Sequence, residues 1–241
     1  MEVYYRRNGF IGMVGLTNGK LNQSVNAPAE GAPSATSPSF LAKVGYDKQV
    51  NDYLRVRLTG LLYNTAHSSK TFLYGGDRAG SRYYLVLEPT NATSAANYSS
   101  GLINPGFNNK LTAIMINPFV KYKGLEFFGM YETVNGRTFA EADRRDFTQI
   151  SGELLYRFGS AEKFYVAGRY TNVDGTLAAT QAVPRTDISV NRFQMAAGWF
   201  MTKNILAKLE YVNQNYNDYP TGSILRDGKF NGFIAEAVIS F

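Results

Sequence analysis

The residues most suited to covalent chemistry stand together at the start of an irregular stretch. His67, the only histidine of the chain, precedes Ser68 and Ser69, and hydrolases use these residue types as general base and nucleophile. Catalysis also needs a group that orients the base, and the spacing places no carboxylate or amide beside His67. We therefore expect a solvated loop histidine and predict that the chain is not an enzyme. The carboxylates that keep aspartate-based catalysis as an alternative are Asp143, Asp146 and Asp187.

Metal, cofactor and nucleic-acid binding each lack the residues that they require. The sequence has one histidine and no cysteine, which removes the usual zinc ligands and any disulfide framework. The glycine-containing stretches 9–15 and 75–80 lack the helix that a phosphate cradle requires. The net charge is +6, but the basic residues are interspersed with acids and form no stripe or recognition motif. We predict no metal, no cofactor and no nucleic-acid partner.

Electrostatic chemistry is indicated by the charges inside alternating segments. A strand places successive side chains on opposite faces, and nearly all strand charges fall on one of them, here called the charged face. The opposite face, which is rich in aliphatic and aromatic residues, is called the apolar face. The charged face carries eight bases and six acids, which are Lys43, Asp47, Arg55, Arg57, Lys121, Glu126, Glu132, Glu153, Arg157, Arg169, Arg192, Lys208, Glu210 and Glu236.

Two roles are open for these charges. In a narrow barrel they pair across neighbouring strands and serve a structural purpose. In a wider barrel they line a water-filled pore, and the excess of two bases favours anions slightly. Both roles keep them away from lipid, because a charge on the lipid face at mid-bilayer costs roughly 2–4 kcal/mol.

The elements that position these residues are strands long enough to cross a bilayer, which takes about 9–11 residues. The alternation predicts an all-β fold, an antiparallel transmembrane β-barrel in a single domain over residues 1–241. Its predicted strands are Glu2–Arg7, Gly9–Thr17, Phe40–Asp47, Tyr53–Thr65, Thr112–Lys123, Leu125–Val134, Phe147–Phe158, Lys163–Val173, Ser189–Met201, Ile205–Tyr216 and Lys229–Phe241.

The connections between these strands alternate between short and long. Short periplasmic turns and long external loops are typical of outer-membrane barrels. Within the longest loop, Ser81–Glu88 could form an additional strand. We expect external loops that fold inward to set the constriction of a pore. The predicted long loops span residues 18–39, 66–110, 135–146, 174–188 and 217–228.

Aromatic residues on the apolar face sort into two belts with aliphatic residues between them. Such belts are expected at the two headgroup levels of a bilayer, where amphipathic rings are favoured. The predicted girdle residues are Phe40, Tyr46, Tyr122, Tyr131, Tyr156, Phe158, Phe164, Tyr170, Phe193, Trp199, Tyr211, Phe233 and Phe241.

The two ends of the chain bear on strand number. The last segment, KFNGFIAEAVISF, alternates and stops on Phe241, which resembles the assembly signal of Gram-negative outer-membrane barrels. The N-terminal MEVYYRRNGF has no apolar core of the signal-peptide kind. Single-chain bacterial barrels usually have an even number of strands, so eleven strands suggest the C-terminal part of a larger barrel. The alternative is a small closed barrel of ten strands without Glu2–Arg7.

Several segments resemble outer-membrane proteins of the Bacteroidetes type, a group often likened to the phosphate-selective porins O and P. They are Gly15–Gly19, Asn117–Gly129, Lys163–Val173 and Arg192–Gln214. The resemblance covers about half of the chain and implies a porin-like outer-membrane barrel, with the trimeric assembly that porins often have. The arginine ladder and lysine cluster of a phosphate-selective channel are not recognisable, so phosphate specificity is not carried over.

These observations lead to one functional expectation and one alternative. We expect a channel in the bacterial outer membrane for passive diffusion of small polar or weakly anionic solutes. The alternative is a non-conducting barrel that acts as a structural or partner-binding subunit through its external loops. The expected partners are outer-membrane lipid, lipopolysaccharide and small polar solutes, with homo-oligomers or other outer-membrane proteins as further contacts.

Overall fold

The computed structural model of the chain describes residues 1–17, 37–68, 74, 87–93 and 103–240. The predicted girdle residue Phe241 and most of the predicted loop strand Ser81–Glu88 lie outside these ranges. No helix in the described ranges is both long and apolar enough to cross a bilayer. The regular structure consists of strands, with a 3₁₀ turn at Ser160–Glu162.

Eleven strands lie in chain order within one sheet. They are β1 (Glu2–Arg7), β2 (Phe10–Thr17), β3 (Ser39–Gln49), β4 (Leu54–Thr65), β5 (Lys110–Tyr122), β6 (Leu125–Arg137), β7 (Arg145–Phe158), β8 (Phe164–Leu177), β9 (Thr186–Phe200), β10 (Ile205–Asn217) and β11 (Lys229–Ile239). Each pairs antiparallel with its neighbours in sequence. The predicted all-β, antiparallel fold class is confirmed.

The connections are sorted by end, as the sequence predicts. Tight turns lie at what we call the short-turn end, and the longer connections lie at the opposite, long-loop end. The first tight turn uses Asn8 and Gly9, both with positive φ, because a two-residue hairpin needs left-handed residues to match strand twist. In the described part of the chain no ladder joins β1 to β11, so each forms an edge of this sheet.

Several strands run further toward the long-loop end than the sequence predicts, and β6 to β9 do so by two to four residues each. β6 and β7 continue into the predicted loop 135–146, and β8 and β9 continue into the predicted loop 174–188. The pairing persists because polar partners bridge it: Asn135 Nδ2 donates to Asp146 Oδ1 at 2.7 Å, and Thr176 Oγ1 donates to Asp187 Oδ1 at 2.7 Å. Hydrophobic alternation ends near the lipid boundary, whereas backbone pairing does not.

The apolar face is exposed along its middle. Val44, Leu154 and Leu209 are each more than half exposed, which a water-facing sheet rarely sustains over a contiguous area. At the short-turn end, Phe158 and Phe164 stack at 5.9 Å, and Phe164 and Trp199 stack at 6.0 Å. These rings are direct partners in register, so they form a continuous aromatic row.

A row of asparagines marks the other limit of the apolar face. Asn172, Asn191 and Asn215 are register neighbours on β8, β9 and β10, and Asn215 Nδ2 donates to Asn191 Oδ1 at 3.0 Å. They lie two residues beyond Tyr170 and Phe193 toward the long-loop end. Aromatic rings give way to amides within two residues, as expected where a lipid-facing surface meets water.

The charged face bears an apolar cluster near the long-loop end, with Phe107 and Tyr219 contributed by loops. Gly175 lies opposite Phe147 in register, and a Cβ there would overlap the Phe147 ring. A Cβ at Gly136 would likewise come within 2.6 Å of Phe107. Loops therefore fold inward onto a wall shaped to receive rings. The buried cluster consists of Phe107, Leu111, Ala113, Val134, Phe147, Ile188, Val190, Tyr216 and Tyr219.

Candidate functional site

Most of the predicted charged-face residues form ion pairs between strands. Arg55 on β4 pairs with Asp47 on β3 at 2.8 Å. Arg169 on β8 pairs with Glu153, its direct register partner on β7. Because both pairs are partly exposed, each stabilises the fold only modestly. Their main consequence is local charge neutralisation along the wall.

A three-strand cluster lies near the short-turn end. Glu126 on β6 accepts from Lys121 Nζ on β5 at 3.1 Å and from Arg157 Nε on β7 at 2.8 Å. Lys121 also lies 3.6 Å from Glu162 in the 3₁₀ turn. The charges of two bases and two acids therefore cancel within this cluster.

A second cluster spans β9, β10 and β11. Lys208 Nζ lies 2.9 Å from Glu236 and 3.2 Å from Glu210. Arg192 approaches Glu210 at 3.9 Å and donates to Gln214 Oε1 at 3.5 Å. The sequence predicted these side chains on one face, and the register brings them into one group.

Three predicted residues have different surroundings. The Arg57 guanidinium lies 5.0 Å from the centre of the Phe119 ring, a cation–π arrangement. Lys43 is half-buried on β3. Glu132 is buried and accepts a hydrogen bond from the Tyr74 hydroxyl, a contact that alternation could not reveal because Tyr74 lies in a loop.

Arg145, which the sequence analysis placed inside a loop, is the most buried base that joins the loops to the sheet. It is 3% exposed, and its guanidinium binds Glu141 at 2.6 Å, the Thr176 carbonyl at 2.7 Å and the Pro105 carbonyl at 2.8 Å. Its guanidinium also lies 4.9 Å from the centre of the Phe107 ring. One side chain thereby links the inward segment 103–107 to the loop that contains Glu141 and to the end of β8.

Glu141 is the anionic partner of this arrangement. Burial raises the pKa of the Glu141 carboxyl, but hydrogen bonds from Arg145 and from the Thr138 backbone N–H outweigh burial, and the pKa ends below its ordinary value. Arg185 lies 3.6 Å away on its more exposed side. Glu141 is therefore ionised at neutral pH and forms ion pairs with both Arg145 and Arg185.

Two cavities adjoin each other on the charged face. The first, of about 350 Å³, lies between Tyr74, Ile103 and Pro105 and the wall of β6 to β10. The second, of about 670 Å³, lies among the polar rows that include Glu153, Arg169 and Lys208. Gln149, Thr171 and Arg192 line both cavities, so the two form one continuous path along the wall.

The predicted girdle residues within the described part of the chain lie on the apolar face with their rings outward. Tyr46 and Tyr211 are half-buried, and Tyr211 packs against Phe233 at 5.3 Å. Their role at a headgroup level stays a prediction. The exposed members are Phe40, Tyr122, Tyr131, Tyr156, Phe158, Phe164, Tyr170, Phe193, Trp199 and Phe233.

The residues considered for hydrolysis are not assembled into one site. His67 is exposed, while the neighbouring Ser68 is buried, and its backbone N–H donates to the Asn109 carbonyl at 2.9 Å. Ser69 lies outside the described residues. Of the carboxylates, Asp146 and Asp187 accept the strand-bridging hydrogen bonds described above.

The fold and its two faces define a bacterial outer-membrane β-barrel protein, and its location is the outer membrane. No protein-family model and no curated protein matches the chain. Among solved structures it is similar to OmpT, an outer membrane protein of Vibrio cholerae. A form of OmpT with loop L8 deleted has a TM-score of 0.52 and 10% identity over 98% of this chain and 61% of that chain. Outer-membrane expressed OmpT has a TM-score of 0.50 and 14% identity over 99% of this chain and 63% of that chain.

The sequence identity and the coverage of these matches determine what they show. At 10% and 14% identity the likeness shows the fold. The chain spans 61% to 63% of the length of those two proteins. The narrower resemblance to Bacteroidetes-type or phosphate-selective porins finds no support among the matches.

The prediction from the sequence that the chain is not an enzyme was wrong. The solved structures that this chain resembles include OmpT outer-membrane proteins. The fold shared with them leaves an enzymatic activity open, because catalysis and transport occur on the same folds. The exclusion rested on His67 alone. A single loop histidine carries too little information to remove a whole class of function.

Proposed function

We propose that this protein is a porin-like channel for passive diffusion of small polar or weakly anionic solutes. The observation that carries the proposal is the succession of charged side chains along the charged face, from the Glu126 cluster at the short-turn end to Glu153, Arg169 and Lys208 in the larger cavity. Charged side chains along such a path replace part of the hydration that a polar solute loses.

The inward segment 103–107 supplies the constriction. It packs on the apolar cluster through Phe107 and is tied to the wall by Arg145. A loop held by a buried ion pair and several hydrogen bonds keeps a fixed position, so the narrowest part has a defined size. Solutes are then sorted by size at the long-loop end and by charge along the ion-paired rows.

The wall carries a small net positive charge, so the expected preference of the pore is a weak one for anions. The ion pairs cancel most of the wall charge, and Arg57 on Phe119 supplies part of the basic excess. Neighbouring acids that neutralise bases leave a field that favours anions only mildly.

The test is single-channel recording of the folded protein in planar bilayers, with reversal potentials under a salt gradient. We expect stable open steps and a mild anion preference. Silence from a barrel that is verified as folded by heat-modifiable gel mobility would contradict the proposal.

The second candidate is a non-conducting barrel that binds a partner through its external loops. The observation that favours it is the buried apolar cluster, because loops packed on the wall reduce the open cross-section. The same recordings separate the two functions. A silent barrel whose loops retain a ligand or protein partner would support this candidate.

Completion of the barrel belongs to the same proposal. Each unpaired backbone group in lipid costs several kcal/mol, so the edges β1 and β11 need partner strands. We expect further strands of a larger barrel to supply them, with the trimeric assembly that porins often have and contacts to lipopolysaccharide. Efficient disulfide formation between cysteines at Tyr5 and Ala235, which both lie on the apolar face, would instead show direct closure of these eleven strands.

A further inference from the structure

The smaller of the two cavities is lined mainly by apolar side chains. Its walls include Val134, Phe147, Val173 and Val190 from the strands, with Ile103 covering them from the inward segment. The rest of the charged face is formed largely by paired charges. A volume of about 350 Å³ lies within the range of sites that hold small organic molecules.

One acid and one base lie among the described residues that line this cavity, and they stand at its two sides. Glu132 is on β6 and Arg192 is on β9. Two strands, β7 and β8, separate them, which is roughly 14 Å along the wall at about 4.8 Å per strand. Both side chains are long enough to reach inward from their strands, so their charged groups approach more closely than their backbones do.

Neutral hydrogen-bonding groups lie between and beside these charges. Gln149 is the register partner of Glu132, and Thr171 and Gln214 are the register partners of Arg192. Amide and hydroxyl side chains can donate to and accept from a peptide group. Tyr74 donates to Glu132, and Glu210 lies 3.9 Å from Arg192, so both charged groups are held in place by neighbours.

We propose that this cavity binds a small zwitterion with an apolar body, of about dipeptide size. Arg192 receives the carboxylate, Glu132 receives the ammonium group, and the valines and Phe147 contact the apolar side chains. A ligand with only one charge would form only one of these two charge-assisted contacts. The inference rests on the proposed function, since it makes this cavity the solute site of the channel.

The experiment uses leucyl-leucine and two capped forms, N-acetyl-leucyl-leucine and leucyl-leucine amide. Isothermal titration calorimetry with the full chain folded in detergent micelles measures the three affinities. We expect each cap to weaken binding at least about tenfold, because each removes a charge-assisted hydrogen bond. Equal binding of the three probes, or no binding of any, would overturn the inference without the need for a variant.

Two variants assign the charges to the ligand ends. Glu132→Gln should abolish discrimination against the acetyl cap alone, and Arg192→Gln should abolish discrimination against the amide alone. The matched control is Arg169→Gln, which removes a base from the larger cavity only and should leave both discriminations intact. If either site variant weakens all three probes equally, its residue has a structural role and the assignment is wrong.

Conductance of the same preparation without peptide keeps the two claims apart. An open channel that does not discriminate among the probes overturns this inference and leaves the channel standing. A silent barrel that discriminates among them supports the site and contradicts the channel.

Discussion

The two ends of the charged face differ in what fills them. At the short-turn end, strand residues form most of each cluster, as Lys121, Glu126 and Arg157 do, and they are partly exposed and paired across strands. At the long-loop end, loop residues such as Phe107 cover strand residues and bury a base, Arg145. Strand alternation is enough to build the first arrangement, whereas the second also requires loops of defined conformation.

This difference indicates where stability and selectivity reside. Exposed ion pairs contribute little free energy, so the short-turn end sets the electrostatic character of the wall. Buried charge pairs and ring packing are sensitive to single substitutions. The long-loop end should therefore dominate the effects of mutation on unfolding and on pore size.

The largest effect is expected for Arg145→Met, because it removes a buried guanidinium that is the main partner of the half-buried Glu141 carboxylate. We expect a loss of about 3–5 kcal/mol in unfolding free energy, measured by urea titration of Trp199 fluorescence in lipid vesicles. The matched control is Arg185→Met, which removes a more exposed partner of the same carboxylate and should cost about 1 kcal/mol or less. Equal effects would remove the distinction between the two ends.

A smaller effect is expected for Gly175→Ala. The added Cβ would overlap the Phe147 ring, and the forced shift should cost about 1–3 kcal/mol in the same urea titration. Gly232→Ala is the control, because a Cβ there meets nothing within 4 Å. A stable Gly175→Ala variant would show that the apolar cluster is loosely packed.

A pH titration should single out Glu141. Its lowered pKa in the folded protein means that it contributes stability above the ordinary carboxyl pKa of about 4.3, and this contribution is lost as pH falls through the folded value. The difference in unfolding free energy between the native chain and Glu141→Gln should thus shrink at acidic pH. A difference that grows with acidification would contradict the arrangement around Arg145.

The smallest effect concerns the short-turn half. Arg57→Gln should lower the anion-to-cation permeability ratio modestly, because it removes one positive charge from the wall. Reversal potentials in a salt gradient measure this ratio. Arg226→Gln, which removes a base from an exposed loop, is the control and should leave the ratio unchanged.

Alternation predicted the strands and the segregation of charge because lipid enforces both. Glu153 and Arg169 were placed on one face from their parity, and the structure pairs them. Parity could not reveal that Tyr74 donates to Glu132 or that Arg145 binds the Pro105 carbonyl. Those contacts depend on loop conformations, which side-chain packing determines and a period of two does not encode.

The strand ends illustrate the same limit. β8 was expected to end at Val173 and reaches Leu177, because Thr176 and Asp187 continue the pairing with polar groups. The asparagine row at Asn172, Asn191 and Asn215 was visible in the sequence only as single residues. Its meaning emerges from the register, which aligns the three amides at one level.

Thiol accessibility in liposomes tests most directly whether the charged face lines water at one end and packed loops at the other. The chain has no cysteine, so single substitutions at Glu153, Leu154 and Ala113 can each be probed with a charged, membrane-impermeant thiol reagent added to both sides. We predict rapid labelling at position 153 and slow labelling at 154, which faces lipid, and at 113, which lies in the buried cluster. Equal labelling at 153 and 154 would contradict the two-faced wall, and rapid labelling at 113 would contradict the packed long-loop end.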